Sequence, residues 1–368
     1  MPLPFPTAEI REGRATLLVP DIPRRKGPIT TGPLPFYNPT MVLNRDISAM
    51  VLARWPSPLR TTLDGLAASG AWGIRMALEA RAGGLVLNDR SAAASALARE
   101  NAGRNGVPAE VRTGDLRDLL AARSFDFVDV DPFGPPTPFL DTVFASPATN
   151  FGLGVTATDV APLAGTYPDA CVRRYAARPL RCAQGHEIGL RILLGYCARI
   201  AQSHGKEVHP LLTMSAEHFL RLFLVVRVAE RQGPPPIGCY VQRADGSYGA
   251  ATADDSCGVG PLWTASIADP EFVGRLSPSD VTGPKASLLL DLLKGEAGFG
   301  PFFVSTDELA RRLRASPPRI GRFVEALRST GFQAVRTHFD PRGVKTDAPA
   351  EEVLRIFRGT APTGPTDG

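Results

Sequence analysis

Asp131-Pro132-Phe133-Gly134 follows directly on an apolar run, Phe125-Asp126-Phe127-Val128-Asp129-Val130, that reads as a buried strand. These four residue types suit a particular chemistry. An aromatic amine has its lone pair delocalised into the ring and is a poor nucleophile. A carboxylate at Asp131 and the carbonyl of Pro132 can accept its two N–H hydrogens. That draws the nitrogen towards a pyramidal shape and frees the lone pair for an electrophile, while Phe133 can stack on the ring. Such a step needs orientation and placed charge more than a strong base. The same tetrapeptide also suits an ordinary strand-to-helix turn with Asp131 as N-cap.

The elements that must position this loop form an alternating pattern. From Leu59 to about Val228, strand-like and helix-like segments follow one another as in a doubly wound α/β domain. Strands are expected at Thr61–Asp64, Gly84–Leu87, Glu110–Arg112, Phe125–Val130 and Phe151–Thr158, with a closing pair at Val208–Met214 and Phe219–Val228. Helices are expected at Ile74–Ala80, from a Ser91 cap to Asn101, and along the amphipathic stretch that carries Ile188, Ile192, Leu193, Tyr196, Cys197 and Ile200. Asp64, Asp89, Asp115 and Asp131 each follow one of four successive strands. Ligands of open α/β sheets bind outside the carboxyl ends of the strands.

Each acid admits two readings. Asp64 opens a small-residue stretch to Gly70, a cofactor loop or a tight turn. Asp89 can accept both hydroxyls of a ribose or cap the next helix. Asp115 can hold an adenine amino group or serve as another cap. Taken together, the four placements point to a methyltransferase using a nucleoside cofactor. The D-P-F-G loop itself resembles the catalytic loop of S-adenosylmethionine-dependent methyltransferases that act on exocyclic amines of bases.

Bulk properties bound the rest. The chain has 368 residues, a net charge of +4 and a pI near 8.9, which permits an anionic partner without requiring one. Its five cysteines, Cys171, Cys182, Cys197, Cys239 and Cys257, form no C-x-x-C pair, so neither a disulfide framework nor a zinc site is expected. The N-terminal segment has no signal-peptide core, and no apolar run approaches the roughly 20 residues of a membrane span. A soluble protein of a reducing, cytoplasmic compartment is expected.

Gln232–Gly238 is rich in Pro and Gly and reads as a boundary. It divides the chain into residues 1–229, with an N-terminal extension over 1–58, and 230–368. Beyond it, Ile237–Trp263 is turn-rich with weak strand signals. Helix at Asp307–Leu313, turn at Ala315–Pro318, helix at Arg319–Thr330, then a strand-like run at Phe332–Phe339 and a Gly343 turn give the winged-helix order. Pro301–Thr346 holds nine basic residues against four acidic ones, a local excess of +5 that favours a nucleic-acid platform. A second cluster, Arg173, Arg174, Tyr175, Arg178 and Arg181, suits phosphate contacts or a solvated helix face. His186-Glu187 suits a catalytic dyad or a structural cap or ion pair.

Several strings match a known family: Phe36-Tyr37-Asn38-Pro39, Asn44-Arg45-Asp46, Gly73-Ile74-Arg75, Asn88-Asp89, Asp129–Gly134, Thr156–Asp159, His186-Glu187 with Gly189-Leu190-Arg191, Gly260–Trp263, Arg336–Phe339 and Lys345–Pro349. The chain resembles the tRNA guanine-N2 dimethyltransferases, which modify guanine 26 of tRNA, from about Glu12 to Glu351. The resemblance implies a Rossmann-like class I methyltransferase domain followed by a smaller α+β domain with a winged-helix-like unit, S-adenosylmethionine as methyl donor and tRNA as partner. It implies cofactor contacts at Arg45, Arg75, Asp89 and Asp115 with Leu116, which Asp64, from its place at the head of the small-residue loop, is expected to join. The catalytic group it implies is Asp131 with Pro132, Phe133 and Phe36, the two rings flanking the target base. Many members carry two C-x-x-C pairs before the Gly-Pro-Leu-Trp string. Only Cys239 and Cys257 stand in this chain, so the hairpin is expected to form without metal. Amino methylation of another RNA base, or RNA binding without catalysis, are the alternative functions.

Overall fold

The computed structural model describes residues 3–21, 34–230, 233–243, 247–252 and 258–361. Strands β1 (Thr7–Glu12) and β2 (Ala15–Pro20) form an antiparallel hairpin. One 3-10 turn at Pro39–Met41 leads into helix α1 (Val42–Leu52). The alternating unit comes next: β3 (Thr62–Asp64), α2 (Ala71–Ala80), β4 (Leu85–Asp89), α3 (Ala92–Arg104), β5 (Ala109–Thr113), α4 (Leu116–Ala122), β6 (Phe127–Val130), α5 (Thr137–Ala145) and β7 (Asn150–Ala157). Helices α6 (Val160–Leu163), α7 (Pro168–Tyr175) and α8 (Gly185–Ser203) precede the closing strands β8 (Lys206–Ala216) and β9 (Phe219–Val228).

These strands make one seven-stranded sheet in the order β5-β4-β3-β6-β7-β9-β8. The first five are parallel, while β9 and β8 run antiparallel beside β7. The α/β expectation therefore holds. The chain winds outward through β3, β4 and β5, then returns to place β6 on the other side of β3. Between those two directions lies the crevice where such sheets bind ligands. Strands covered on both faces read as continuous apolar runs, and β6 and all of β7 after Asn150 are buried.

Sequence boundaries differ from these by one to three residues. Helix α2 starts at Ala71, because Gly70 takes a left-handed conformation and the helix begins directly after it. Strand β6 starts at Phe127, since Asp126 turns its carboxylate back to the Arg60 and Thr61 amides at 2.9 and 2.8 Å. The β1–β2 hairpin was not legible. It lies on α3, where Asn101 exchanges bonds of 2.7 and 2.9 Å with the Leu18 backbone.

Beyond the sheet come β10 (Ile237–Gln242), β11 (Tyr248–Ala250) and β12 (Val259–Trp263), a three-stranded antiparallel sheet. The hairpin that carries Cys239 is thus formed; Cys257 lies outside the described residues. Helices α9 (Pro270–Gly274) and α10 (Pro284–Glu296) come after it. The last unit is β13 (Val304–Ser305), α11 (Thr306–Leu313), α12 (Ile320–Ser329), β14 (Ala334–Arg336), β15 (Gly343–Thr346) and α13 (Ala350–Thr360), with sheet order β13-β15-β14. The expected helix, helix and hairpin order is present in it. The run read as a strand over Phe332–Phe339 pairs only at Ala334–Arg336.

Side chains from both sides of residue 230 share cores. Val259, Leu262, Trp263, Phe303 and Phe339 pack in one cluster with α8, and Phe272, Leu276, Leu290 and Leu293 in another with α1 and β8. A separate core, Phe323, Leu327, Val344, Ile356 and Phe357, holds the last unit together. Among the described residues, no helix is long and apolar enough to cross a membrane.

Candidate active site

A cleft of about 450 Å³ opens at the carboxyl ends of β3 and β6, walled by the segments after them, by Phe36–Met41 and by the β8–β9 turn. Phe36, Arg45, Asp64, Asp131, Pro132 and Phe133 all line it. Six of the ten residues expected to form the site therefore share one cavity. Phe133 is 58% exposed and meets Phe36 edge-on at 4.5 Å between ring centroids, so the two rings face solvent at the mouth.

The D-P-F-G loop is fixed by the end of β7. Thr158 Oγ1 accepts from the Gly134 amide at 2.7 Å, and the Thr158 amide donates to the Gly134 carbonyl at 3.1 Å. Asp131 accepts from the Asn44 amide group at 3.5 Å, and the pairing of Val130 with Val155 carries it beside Thr156. Burial raises its carboxyl above the ordinary value, while the Arg221 charge, the Thr156 hydroxyl and Arg45 pull the other way.

Below it lies an ion pair that sequence reading missed. Arg221 on β9 is fully buried, bonds Thr156 Oγ1 at 2.8 Å and pairs with Asp129 on β6. To reach Asp129 its side chain must pass over β7, and it does so at Gly154. A Cβ there would stand 2.2 Å from the Asp129 carboxylate and 2.7 Å from the guanidinium. Burial holds the Asp129 carboxyl up at about 6 despite Arg221. Asp64, buried and accepting from the Gly73 amide at 3.0 Å, is raised well above the carboxylate range by burial and by Asp129.

Arg45 and Arg75 share a buried cluster. Arg45 grips both oxygens of Glu12, and its Nη2 donates to the Asn38 carbonyl at 3.1 Å. Arg75 is fully buried between Glu12, Asp46 and Glu79, at 2.9, 2.7 and 2.8 Å, and does not line the cleft. Asp89, Asp115 and Leu116 also stand outside the lining. The Asp89 carboxylate holds the Ala68 amide at 2.9 Å, so it shapes the small-residue wall formed by Ala67, Ala68 and Ser69. Asp115 caps α4 through the Arg117 amide and pairs with Arg117, which pulls its carboxyl down to about 2. Leu116 packs under Gly65, whose backbone amide donates to the Asp129 carbonyl at 3.0 Å. Trp72 lines the cleft, and its buried indole N–H has no partner among the described residues.

His186 is exposed and Glu187 fully buried, so they form no dyad. Glu187 instead joins α8 to the C-terminal unit, bonding Lys345 at 2.6 Å, Arg191 at 3.0 Å and the Phe302 amide at 2.8 Å. In the other basic cluster Tyr175 is buried with its hydroxyl on Asp159 at 2.7 Å, while Arg173, Arg174, Arg178 and Arg181 are exposed.

The family model for N2,N2-dimethylguanosine tRNA methyltransferase matches residues 13–235 and 250–358. The tRNA (guanine(26)-N(2))-dimethyltransferase of Pyrococcus abyssi is 36% identical, with 95% of this chain and 98% of that one covered. The enzyme of the same name from Thermococcus kodakarensis is 37% identical at the same coverage. Trm1 from Pyrococcus horikoshii, solved with S-adenosyl-L-methionine, superposes with a TM-score of 0.84 at 32% identity, over 95% of this chain and 99% of that chain.

Proposed function

The chain belongs to the N2,N2-dimethylguanosine tRNA methyltransferase family, and from that premise we propose that it transfers one or two methyl groups from S-adenosylmethionine to N2 of guanine 26 in tRNA. The observation that carries this reading is the meeting of Asp131, Pro132, Phe133 and Phe36 in one cleft at the carboxyl ends of the sheet.

Bound in this cleft, S-adenosylmethionine supplies an electrophilic methyl group on a sulfonium cation. The residues present fit it. The wall is made of small residues, Trp72 has a buried donor to spare, and Asp64, Asp129 and Asp131 give the floor an excess of carboxylates. We assign cofactor contacts in the cleft to Arg45 and Asp64, and place Asp89, Asp115 and Leu116, which stand at the ends of β4 and β5 outside the lining, beside the cofactor's nucleoside, with Arg75 acting through Glu12 to hold Arg45 in place. The target guanine must leave its stack to enter the cleft, and Phe36 and Phe133, whose rings meet edge-on, must part to take it between them. Asp131 and the Pro132 carbonyl accept the two N2 hydrogens. Asp131 would take the proton that N2 sheds when the N–CH3 bond forms and the donor's S–CH3 bond breaks, its electron pair passing to sulfur. Residues 1–229 then carry the chemistry, and the winged-helix-like unit within 230–368 grips the tRNA. The setting is the cytoplasm.

Nucleoside mass spectrometry of unmodified tRNA after incubation with enzyme and cofactor tests this directly. N2-methyl- and N2,N2-dimethylguanosine are expected; methylated adenosine or cytidine in their place would overturn the substrate assignment. Full activity in Asp131→Ala would show that Asp131 does not organise the amine.

A further inference from the structure

We infer that Arg221 is the positioning residue of the amine-binding loop: through Thr156 and Asp129 it holds Asp131 as a fixed, ionised acceptor. The inference rests on the amine-methylating reading of the cleft, and goes beyond it in assigning a role to a residue that touches neither base nor cofactor.

The register of the sheet places the parts. Arg221 on β9 stands directly opposite Thr156 on β7, and Gly154 on β7 stands beside Asp129 on β6. The guanidinium therefore spans three strands beneath the D-P-F-G loop. It fixes Thr156 at one end, which the β6–β7 register sets beside Asp131, and Asp129 at the other, two residues before Asp131. The absence of a side chain at Gly154 is what lets it through.

Charge makes the arrangement consequential. Asp131 faces Asp129 from its own strand, Asp64 from β3, Arg45 and Asn44 from α1, Thr156 from β7 and Arg221 from β9, with His218 on the β8–β9 turn lining the same cleft. Three carboxylates crowd this floor. Arg45 is already committed to Glu12. Arg221 is thus the one cation among these groups whose contacts all lie on the floor side of the cleft. Its Nε has no hydrogen-bond partner among the described residues, a cost for a buried donor that its contacts with Thr156 and Asp129 and with the Phe223 ring, 4.5 Å from the guanidinium, must offset. Without it Asp131, already raised by burial, would take up a proton more readily. A protonated carboxyl presents an O–H donor where the amine N–H needs an acceptor, and has no charge with which to take the amine's proton. The rate should then fall at a higher pH than in the wild type.

Removing Arg221 alone strands Asp129 as a bare buried charge and risks the fold. Arg221→Met is therefore read together with its thermal unfolding, and Thr156→Val, which deletes only a hydroxyl, is the second variant; Arg221→Met with Asp129→Asn is the charge-balanced control, because it removes an opposite and a like charge together. Three readouts are taken: thermal unfolding, calorimetric binding of S-adenosylhomocysteine, and the pH dependence of single-turnover methyl transfer to tRNA. Folding and cofactor-product binding should stay near wild type in Thr156→Val. The acid limb of the rate should move up by about 1–3 pH units in Arg221→Met, the effect of losing a nearby opposite charge, by less in Thr156→Val, and by less than in Arg221→Met in the control, where the like charge of Asp129 leaves as well. Arg221→Lys should recover part of the shift. Wild-type acid limbs in Arg221→Met and Thr156→Val would overturn the inference and leave Arg221 as a counter-ion for Asp129 alone. A wild-type enzyme that binds S-adenosylhomocysteine but methylates no tRNA would instead defeat the functional reading, and this inference with it.

Discussion

At the scale of single residues, charge and stacking make separable demands. Asp131→Asn keeps the size and one acceptor of the side chain but removes its charge. Transfer should slow by about 10²–10³-fold, the usual cost of deleting one preorganised electrostatic interaction from an active site, while binding of S-adenosylhomocysteine stays within a few-fold. Phe133→Ala should act on the other partner. Base–aromatic stacking contributes about 1–3 kcal/mol per base, so KM for tRNA should rise roughly 5- to 150-fold in steady-state assays with KM for the cofactor unchanged. Equal losses in both KM values would mean that Phe133 packs the loop and does not receive the base. These residues were legible because each sits next to a local signal, an apolar strand ending in acid. Arg221, Gly154 and Trp72 gave no such signal. Their roles depend on which strands lie side by side, and Arg221 meets Asp129 across 92 positions of sequence.

Elements carry the coupling between the catalytic sheet and the C-terminal unit. Helix α8 and strand β15 are tied by Glu187 and Lys345, both buried. Burial works to raise the Glu187 carboxyl, but Lys345 and Arg191 outweigh it and hold it below the ordinary value of 4.5. Its stabilising contribution is therefore whole above that value and is lost as pH falls through the lower, folded one. Lys345→Met leaves Glu187 with Arg191 and the Phe302 amide and should destabilise by about 1.5–3 kcal/mol, the usual loss of one hydrogen bond to a charged group, read as a lower midpoint in urea at pH 7. Lowering the pH below 4.5 should narrow the gap between variant and wild type, because a protonated Glu187 no longer draws on the Lys345 charge. An unchanged gap would place the effect in packing. The order of strands and helices in the sheet was legible from period and punctuation. The β1–β2 hairpin was not, because β1 is half polar and the hairpin is held through β2 by Asn101 on α3 and Asn105 just after it, 83 and 89 positions away. His186-Glu187 was legible only as two open readings, since nothing near it in sequence announces Lys345.

Over the whole molecule the charge is small, +4, yet its distribution is uneven. Of the nine basic residues between Pro301 and Thr346, Lys345 is buried on Glu187 and Arg342 is half-buried against Asp307, but Arg311, Arg312, Arg314, Arg319, Arg322, Arg328 and Arg336 are exposed. Composition alone counted Lys345 with the surface; only the fold removes it. Cutting the chain after Gly300 would be a poor test of this face, because it would also strip the Lys345 partner from Glu187 and Phe303 and Phe339 from the core. Charge reversal is cleaner. With Arg311, Arg319 and Arg322 changed to Glu, the tRNA dissociation constant should rise, and the slope of log affinity against log salt should shrink by about 1 for each phosphate no longer neutralised. Fluorescence anisotropy with labelled tRNA over a salt series measures both. Binding of S-adenosylhomocysteine and the thermal midpoint should not move, since these side chains lie on the surface away from the cleft lining. If affinity and slope are unchanged, the tRNA is held elsewhere, and the exposed arginines of α7 and the segment after it become the surface to reverse next. A fall in affinity with no change of slope would mean that the substitutions distort the unit and do not remove phosphate contacts.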